Sequence, residues 1–439
     1  MQDDTLRRSG AFCVAKDRKV SGTLSLAGVD TSLDLFDGEP FDIERFSGTA
    51  ITGVLDDLTK VSLIRYFVTS WSLTAGSGGT VHKRRIAPHY VVIGEQHFSL
   101  EGCDVHEISF TFDDAKVLFL DRLSVLRISS IGSGVSVYRD QKGDVFAKIR
   151  FDGTVGIVEA VSRMNRVLQF FELMVGRIQN VLEINIYPQS GPDSSTPGPG
   201  ARLYISMDPR RGCTQEKYKP GFTNILIDPV RDSKAFSRVL KAWLARDKEW
   251  RTARERLSSD WGKRGYDHDR IIRAANGFEL LPKKVLGKDE ALPQEVKKAV
   301  DEAKQIFCGL PKDNVYRERL FNAVGNATER RPLKKKIRHR AERIMKEIGN
   351  LIPQIGLVID EAVKCRNRYV HGNGDKSRSF DSRVVFLTNT LEFIFFASDL
   401  VDAGWDIAGW CQEHHSYGHP FADYLHLYRA GFNDFERKR

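Results

Sequence analysis

Apolar and polar positions follow two different rhythms along the chain, and the change falls near residue 230. Over the first 150 or so residues, short runs rich in β-branched and aromatic side chains recur: Gly22–Ala27, Thr49–Leu55, Val61–Leu73, His89–Ile93, Ile108–Phe112 and Val135–Tyr138. Gly, Asp and Ser separate them, as turns between strands require. The pattern predicts a β-sandwich or barrel. One interruption has helical spacing: Ile157, Val161, Met164, Leu168, Phe171 and Val175 lie on one face of a helix over 155–175. LEINIYP follows as a strand, Gly191–Gly200 as a Pro/Gly/Ser loop, and Arg202–Met207 and Phe222–Ile227 as two more strands. From Ser233 the period becomes that of long helices, predicted over 233–257, 266–281, 290–307, 315–325, 334–348, 352–371 and 380–402. The expected fold class is α+β. A β-rich N-terminal region, 1–232, carries one long helix and is followed by an all-α domain, 233–439.

Charge changes at the same place. Residues 233–439 hold 40 Lys+Arg against 29 Asp+Glu, an excess of 11, whereas residues 1–232 hold 27 against 29. A positive field confined to one half of a chain favours a polyanionic partner such as nucleic acid. The six cysteines, Cys13, Cys103, Cys213, Cys308, Cys365 and Cys411, form no C-x-x-C pair and read as free thiols of a reducing compartment. The N-terminal MQDDTLRRSG has no apolar leader core, and the most apolar run, Val384–Val401, is broken by Asn389, Glu392 and Asp399. The expectation is a cytoplasmic protein without a membrane partner.

The chemistry concentrates in Leu351–Asp375, LIPQIGLVIDEAVKCRNRYVHGNGD. Ile352, Ile355, Ile359, Ala362/Val363 and Val370 make the apolar stripe of a helix, with Pro353 in its first turn and Gly372, Asn373 and Gly374 ending it. Arg366 falls on that stripe where an apolar residue belongs. Arginine is almost never buried unpaired, so it either snorkels or faces a pocket needing fixed positive charge. Asn367 and His371 are four apart and share a face, so the amide can orient the imidazole. Arg366 and His371 are separated by roughly 140° on a straight helix. They converge if the helix ends irregularly at Gly372, or if two copies face each other. Such a pair suits RNA cleavage without a metal or other cofactor. The histidine moves a proton at the 2′-hydroxyl or the leaving 5′-oxygen, and the arginine holds the phosphate.

CRNRYVH resembles the R-N-x-x-x-H form of the R-x(4–6)-H motif of HEPN ribonucleases. With GTLSL, TAITGVLDD and VSLIRYF in the β-rich part, the chain resembles the ApeA type of bacterial anti-phage abortive-infection protein. The resemblance implies a homodimer with its active site at the interface. It implies metal-independent cutting that leaves a cyclic phosphate and a 5′-hydroxyl, and tRNA or other cellular RNA as target. Arg366 would bind phosphate, Asn367 would be the polar residue beside it, and His371 the acid/base. The β-rich region would sense a phage-derived trigger or restrain the nuclease. A structural alternative has Arg366 paired to a carboxylate and His371 complementing the helix C-terminus. The rival function is a non-catalytic HEPN module that docks a partner.

Arg330–Lys346 holds nine Lys and Arg and a single acid, Glu342. Lys334, Lys335, Lys336, Arg338, Arg340 and Arg343, with Arg368 near the motif, are expected to contact RNA phosphates. Cys411, His414, His415 and His419 lack the second half of a zinc site, and no metal is expected there. Gly76–Gly79 and Gly132–Gly134 precede no Lys-Ser/Thr pair, so they read as turns rather than a phosphate loop, which a nucleotide-binding regulator would need. Trp71, Tyr90 and Tyr138 are aromatics of either core or contact.

Overall fold

The computed structural model describes the chain except residues 1–5, 16–17, 28–29, 38–50, 77–78, 99–104, 121–129, 133, 191–196, 207–224, 259–260, 262–264, 288–292, 312, 330–331, 371–381, 414–417 and 438–439. It forms two compact units, Met1–Leu244 and Ala245–Arg439.

The first unit contains twelve described strands: β1 (Leu6–Ala15), β2 (Arg18–Ala27), β3 (Asp30–Asp37), β4 (Ile51–Leu55), β5 (Lys60–Gly76), β6 (Gly79–Gly94), β7 (Val105–Phe112), β8 (Ser130–Gly132), β9 (Val135–Arg139), β10 (Val145–Val155), β11 (Val181–Pro188) and β12 (Ala201–Ile205). Three helices accompany them: α1 (Ala115–Phe119), α2 (Ile157–Val175) and α3 (Ser233–Ala245). All the pairings are antiparallel, in the order β3-β2-β1-β4-β5-β6-β12-β11-β7-β10-β9-β8. β3 also pairs β6, from Leu33↔Ile86 to Asp37↔His82, which closes β1–β6 into a six-stranded barrel. Further along the same edge of β6, Tyr90–Ile93 pair β12 and start an open sheet. Leu24, Leu33, Ile51, Leu55, Val61, Leu63, Ile86, Val91 and Ile93 fill the barrel core. Both glycine runs lie at hairpins. Gly76↔Gly79 ends the β5–β6 ladder, and Gly134 has φ 72° with Arg150 O only 2.7 Å from where a Cβ would sit.

The helical stripe expected over 155–175 is α2, and all six of its marker residues are buried. α2 and α3 meet the sheet through aromatics: Phe171 stacks on Phe112 (5.4 Å), Phe236 lies edge-on to Phe170 (5.5 Å), and Trp243 packs on Phe170 (5.6 Å). This packing explains why the first unit runs to Leu244, one helix beyond the expected divide at 232/233. It also explains why the helix expected over 233–257 is two, broken at Arg246: its first half serves one unit and its second half the other. In the predicted strand Phe222–Ile227, residues 222–224 lie outside the described residues. Ile225, Leu226 and Ile227 are buried but irregular, Leu226 N–H donating to Met174 O (3.0 Å). Apolar burial without a ladder partner gives the same sequence signal as a strand.

The second unit contains α4 (Asp247–Ser258), α5 (His268–Glu279), a 3-10 turn (Lys283–Leu286), α6 (Gln294–Cys308), α7 (Val315–Glu329), α8 (Leu333–Ile348), α9 (Ile355–Val370), α10 (Ser382–Asp402), α11 (Ile407–Gln412) and α12 (Pro420–Arg437). The last two were not expected from the sequence. α10 is the central helix, packed by α5, α8, α9 and α12. Being apolar on all sides, it is buried on all sides. Arg383–Asp402 is the one candidate membrane span among the described residues, and 78% of its apolar window is covered by protein. Its polar interruptions are anchors. Tyr266 Oη donates to Asn389 (2.6 Å), Arg270 grips Glu392 (2.7 Å) and Arg254 grips Asp399 (2.8 Å).

Candidate functional site

α9 buries Ile355, Val358, Ile359, Ala362 and Cys365 along one face. It begins at Ile355, three residues later than expected. Pro353 lies ahead of it, with its carbonyl accepting from Tyr428 Oη (2.7 Å), and Gln354 turns the chain through φ 56°. Burial pushes the Cys365 thiol pKa up. The stripe delivers Arg366 toward α5. That helix starts with Asp267, whose carboxylate caps Arg270 N–H (2.6 Å), and it lies close to α4 because residue 277 is glycine. A Cβ there would stand 1.9 Å from Leu257 Cδ1.

The Arg366 side chain is 15% exposed. Its Nη2 donates to Asn276 Oδ1 (2.7 Å) and its Nη1 to Asn367 Oδ1 (3.1 Å). Nε is buried with no hydrogen-bond partner among the described residues. Among the described residues the carboxylate partner of Arg366 is Glu279, a long ion pair at 3.8 Å, beyond hydrogen-bond reach, and that side chain is 45% exposed. Two neutral amides thus orient the guanidinium, and its one carboxylate partner among the described residues is a long, half-exposed ion pair, so N–H donors remain for an anion. One turn further, Tyr369 meets His268 of α5 edge to face at 4.4 Å.

Arg366 and Asn367 are therefore in direct contact. The Oδ1 of the exposed Asn367 side chain accepts from Arg366 Nη1; the contact expected between Asn367 and His371 involves a residue outside the described ones. His371, with Gly372, Asn373 and Gly374, lies outside the described residues. Asn276 and Glu279 escaped the sequence reading. Both are polar residues on an amphipathic helix 90 and 87 positions before the arginine, and nothing local marks them. Arg368 is exposed, 4.0 Å from Glu361, whose main partner is Arg383 (2.5 Å).

The basic run does not behave as one surface. Arg330 and Arg331 lie outside the described residues. Arg340, expected to touch phosphate, is 1% exposed and cannot: its Nε donates to Ser398 Oγ (3.0 Å) and its Nη1 to Asp402 (2.6 Å). The helical period turns that one cation inward while its neighbours face out. Arg340, Arg246 and Arg254 each place a guanidinium over the Trp250 ring, at 5.1, 5.2 and 5.5 Å. Asp399 and Asp402 neutralise them (Arg246–Asp399 2.9 Å, Arg254–Asp399 2.8 Å). Burial lowers the pKa of Arg254 and Arg340, and Asp399 and Asp402 respectively oppose the shift. On the outer side of α8, Lys334 (2.5 Å) and Arg338 (2.8 Å) share Asp360, and Arg343 pairs Asp402 (3.2 Å). Lys335 is exposed and Lys336 half-buried.

Among the described residues no group of three His, Cys, Asp or Glu is placed to hold a metal. His414 and His415 lie outside them. His419 is buried, accepting from Phe421 N–H at Nδ1 (3.1 Å), and burial pushes the Cys411 thiol up to about 11. Cys308, Cys365 and Cys411 are free; Cys103 and Cys213 are not among the described residues. Of the three aromatics, Tyr138 stacks on Phe146 (5.4 Å) and Tyr90 is half-buried; the Trp71 side chain is not described.

Comparison with protein families gives two matches in chain order. Residues 9–143 match the model described as ApeA N-terminal domain 1, and residues 272–407 match Apea-like HEPN. The second match contains Asn276, Glu279 and the whole Arg366–His371 segment. No curated protein and no solved structure matches the chain.

Proposed function

The chain belongs to the ApeA-type, HEPN-containing anti-phage defence proteins, and from that premise we propose that its helical unit is a metal-independent endoribonuclease. The observation that carries the reading is the state of Arg366: a nearly buried guanidinium on an apolar stripe, hydrogen-bonded by the amides of Asn276 and Asn367, with only a long ion pair to the half-exposed Glu279. Its spare donors suit the oxygens of a phosphodiester, whose negative charge grows toward the pentacoordinate transition state. His371, five residues on, completes the R-N-x-x-x-H spacing.

In the proposed reaction a 2′-oxygen attacks the adjacent phosphorus while its proton passes to an imidazole. The phosphorus–5′-oxygen bond breaks, and the leaving oxygen takes a proton. The products are a cyclic phosphate and a 5′-hydroxyl, and water is not consumed. Two copies facing each other would supply one imidazole for each proton transfer. We place the substrate, tRNA or another cellular RNA, in the cytoplasm. Cutting it halts translation in the infected cell, and the barrel unit responds to a phage-derived trigger.

The test compares wild type with Arg366→Ala and His371→Ala in cells with and without phage, reading total RNA for new 5′-hydroxyl ends. Ends that appear with wild type alone, both variants being folded, support the nuclease and name its substrate. Protection that survives both substitutions makes the helical unit a docking module.

A further inference from the structure

A cavity of about 400 Å³ opens in the helical unit where the end of α10 meets α8, and its lining includes neither Arg366 nor the two amides that hold it. That volume falls within the range of small-molecule sites, about 300–1,000 Å³. Val401 and Asp402 come from the last turn of α10, and Val285 from the 3-10 turn. α8 supplies Arg343, Lys346 and Glu347, at i, i+3 and i+4 and therefore on one face. Arg246, between α3 and α4, completes the wall.

Three of these residues are cations and two are carboxylates, and the carboxylates do not cancel the cations. Asp402 is shared: it holds Arg340 at 2.6 Å and Arg343 at 3.2 Å, with Arg246 at 4.0 Å. One negative charge thus stands among three guanidiniums, of which Arg246 also pairs Asp399 (2.9 Å). Arg340 lies immediately behind the wall. Its Nη1 donates to Val285 O (3.4 Å) as well as to Asp402, and its Nη2 is buried with no hydrogen-bond partner among the described residues. Lys346 and Glu347 are exposed and join no ion pair among the described residues. Water screens the exposed Glu347 more than it screens the guanidiniums around Asp402, so the field inside the cavity is positive.

The lining selects the ligand. Arg343 and Lys346 suit a phosphate, the arginine through its planar fork and the lysine as a point charge. An ionised carboxylate only accepts hydrogen bonds, so Glu347 matches a ligand that also carries donors, such as sugar hydroxyls or a base amino group. Val285 and Val401 offer an apolar wall to a ring. A polynucleotide backbone calls for a continuous cationic track, and Asp402 and Glu347 interrupt this one. Side chains rather than a glycine-rich loop make the phosphate contacts, so the site leaves no loop motif in the sequence. We propose that the cavity between α8 and α10 binds a nucleoside monophosphate, at a site separate from the RNA-cutting centre. The site rests on its own observations and would hold whether or not RNA is cut.

Full-length wild type and Arg366→Ala are titrated by calorimetry with AMP, GMP, CMP and UMP, and with inorganic phosphate. At least one nucleotide is expected to bind both proteins equally, and more tightly than inorganic phosphate does. Arg343→Ala with Lys346→Ala should weaken that binding by about 10-fold or more, the loss of charge-assisted contacts to phosphate. Glu347→Gln should weaken the nucleotide and leave inorganic phosphate unchanged. The three positions are exposed, so the urea midpoints should stay close to wild type; Arg343→Gln with Lys346→Gln, which keeps more of the stems, repeats the test if the alanine pair unfolds. Four results would each overturn the proposal: no nucleotide binds, inorganic phosphate binds as tightly, Arg366→Ala abolishes binding, or the paired variant binds as wild type does. In the last case Lys346, in the last turn of α8, only complements the helix C-terminus. RNA cleavage is not the readout, so failure of the nuclease reading leaves the titration to decide.

Discussion

The helical unit holds its interior arginines in two different ways. Around Trp250, Arg246, Arg254 and Arg340 are matched to Asp399 and Asp402 and lie against the indole face. At Arg366 the partners within hydrogen-bond distance are the amide oxygens of Asn276 and Asn367. A carboxylate repays the desolvation of a guanidinium by cancelling its charge, and what remains is a structural joint. An amide fixes the direction of the group and leaves its charge in place. The contrast separates arginines that hold the fold from one available to a ligand, a distinction that burial alone does not make.

The comparison breaks most readily at the structural joint. Arg254→Ala takes from the buried Asp399 its bidentate partner and leaves it Arg246 (2.9 Å), so it should cost about 3 kcal/mol of unfolding free energy, the low end for a broken buried pair, read by urea denaturation. Loss of well under 1 kcal/mol would show that the Trp250 cluster is not what joins α4 to α10. Arg366→Ala is the complement. RNA cleavage should fall by roughly 100- to 1000-fold, as when one preorganised donor is removed from a developing oxyanion, with the urea midpoint close to wild type. A large stability loss at unchanged cleavage would put Arg366 in the structural class.

Asn276→Asp sharpens the distinction. It converts the amide contact into a carboxylate one at nearly constant shape, so cleavage should drop by about 10-fold or more while stability holds or rises. Activity equal to wild type would mean that residual charge on Arg366 is unimportant. The smallest effect is expected from Arg343→Ala. Half-exposed and 3.2 Å from Asp402, it should change stability by less than about 1 kcal/mol. Its contribution to RNA binding, if it faces phosphate, would show as a shallower salt dependence of affinity.

The two classes were not equally legible in the sequence. Arg366 was visible because a cation stood on an otherwise apolar stripe, and the spacing to His371 made the motif. Arg340 looked like its neighbours in a run of basic residues. What distinguishes it is a position facing α10, and its partners Ser398 and Asp402 are 58 and 62 residues away. Asn276 was invisible for the same reason: its role is set by contact between α5 and α9. The period change near residue 230 correctly divided strands from helices. It could not show that α3, helical by pattern, belongs with the first unit through Phe236 and Trp243. The strand spacing predicted a sandwich or a barrel and did not choose between them. The barrel's closure depends on β3 returning to β6 about 50 residues later, a pairing that alternation along one strand does not encode.

That closure bears on how the first unit comes apart. β6 is bonded along one edge to β5 and along the other to β3 and then to β12. Opening the barrel at β3 leaves β6 anchored to the sheet, and peeling the sheet away leaves it anchored in the barrel. Each amide hydrogen of β6 is bonded to one edge, but the strand as a whole is freed only when both neighbours have yielded, so its amides should be among the slowest in the unit. The strand makes barrel and sheet one cooperative block, and a ligand that tightens either should slow exchange across both.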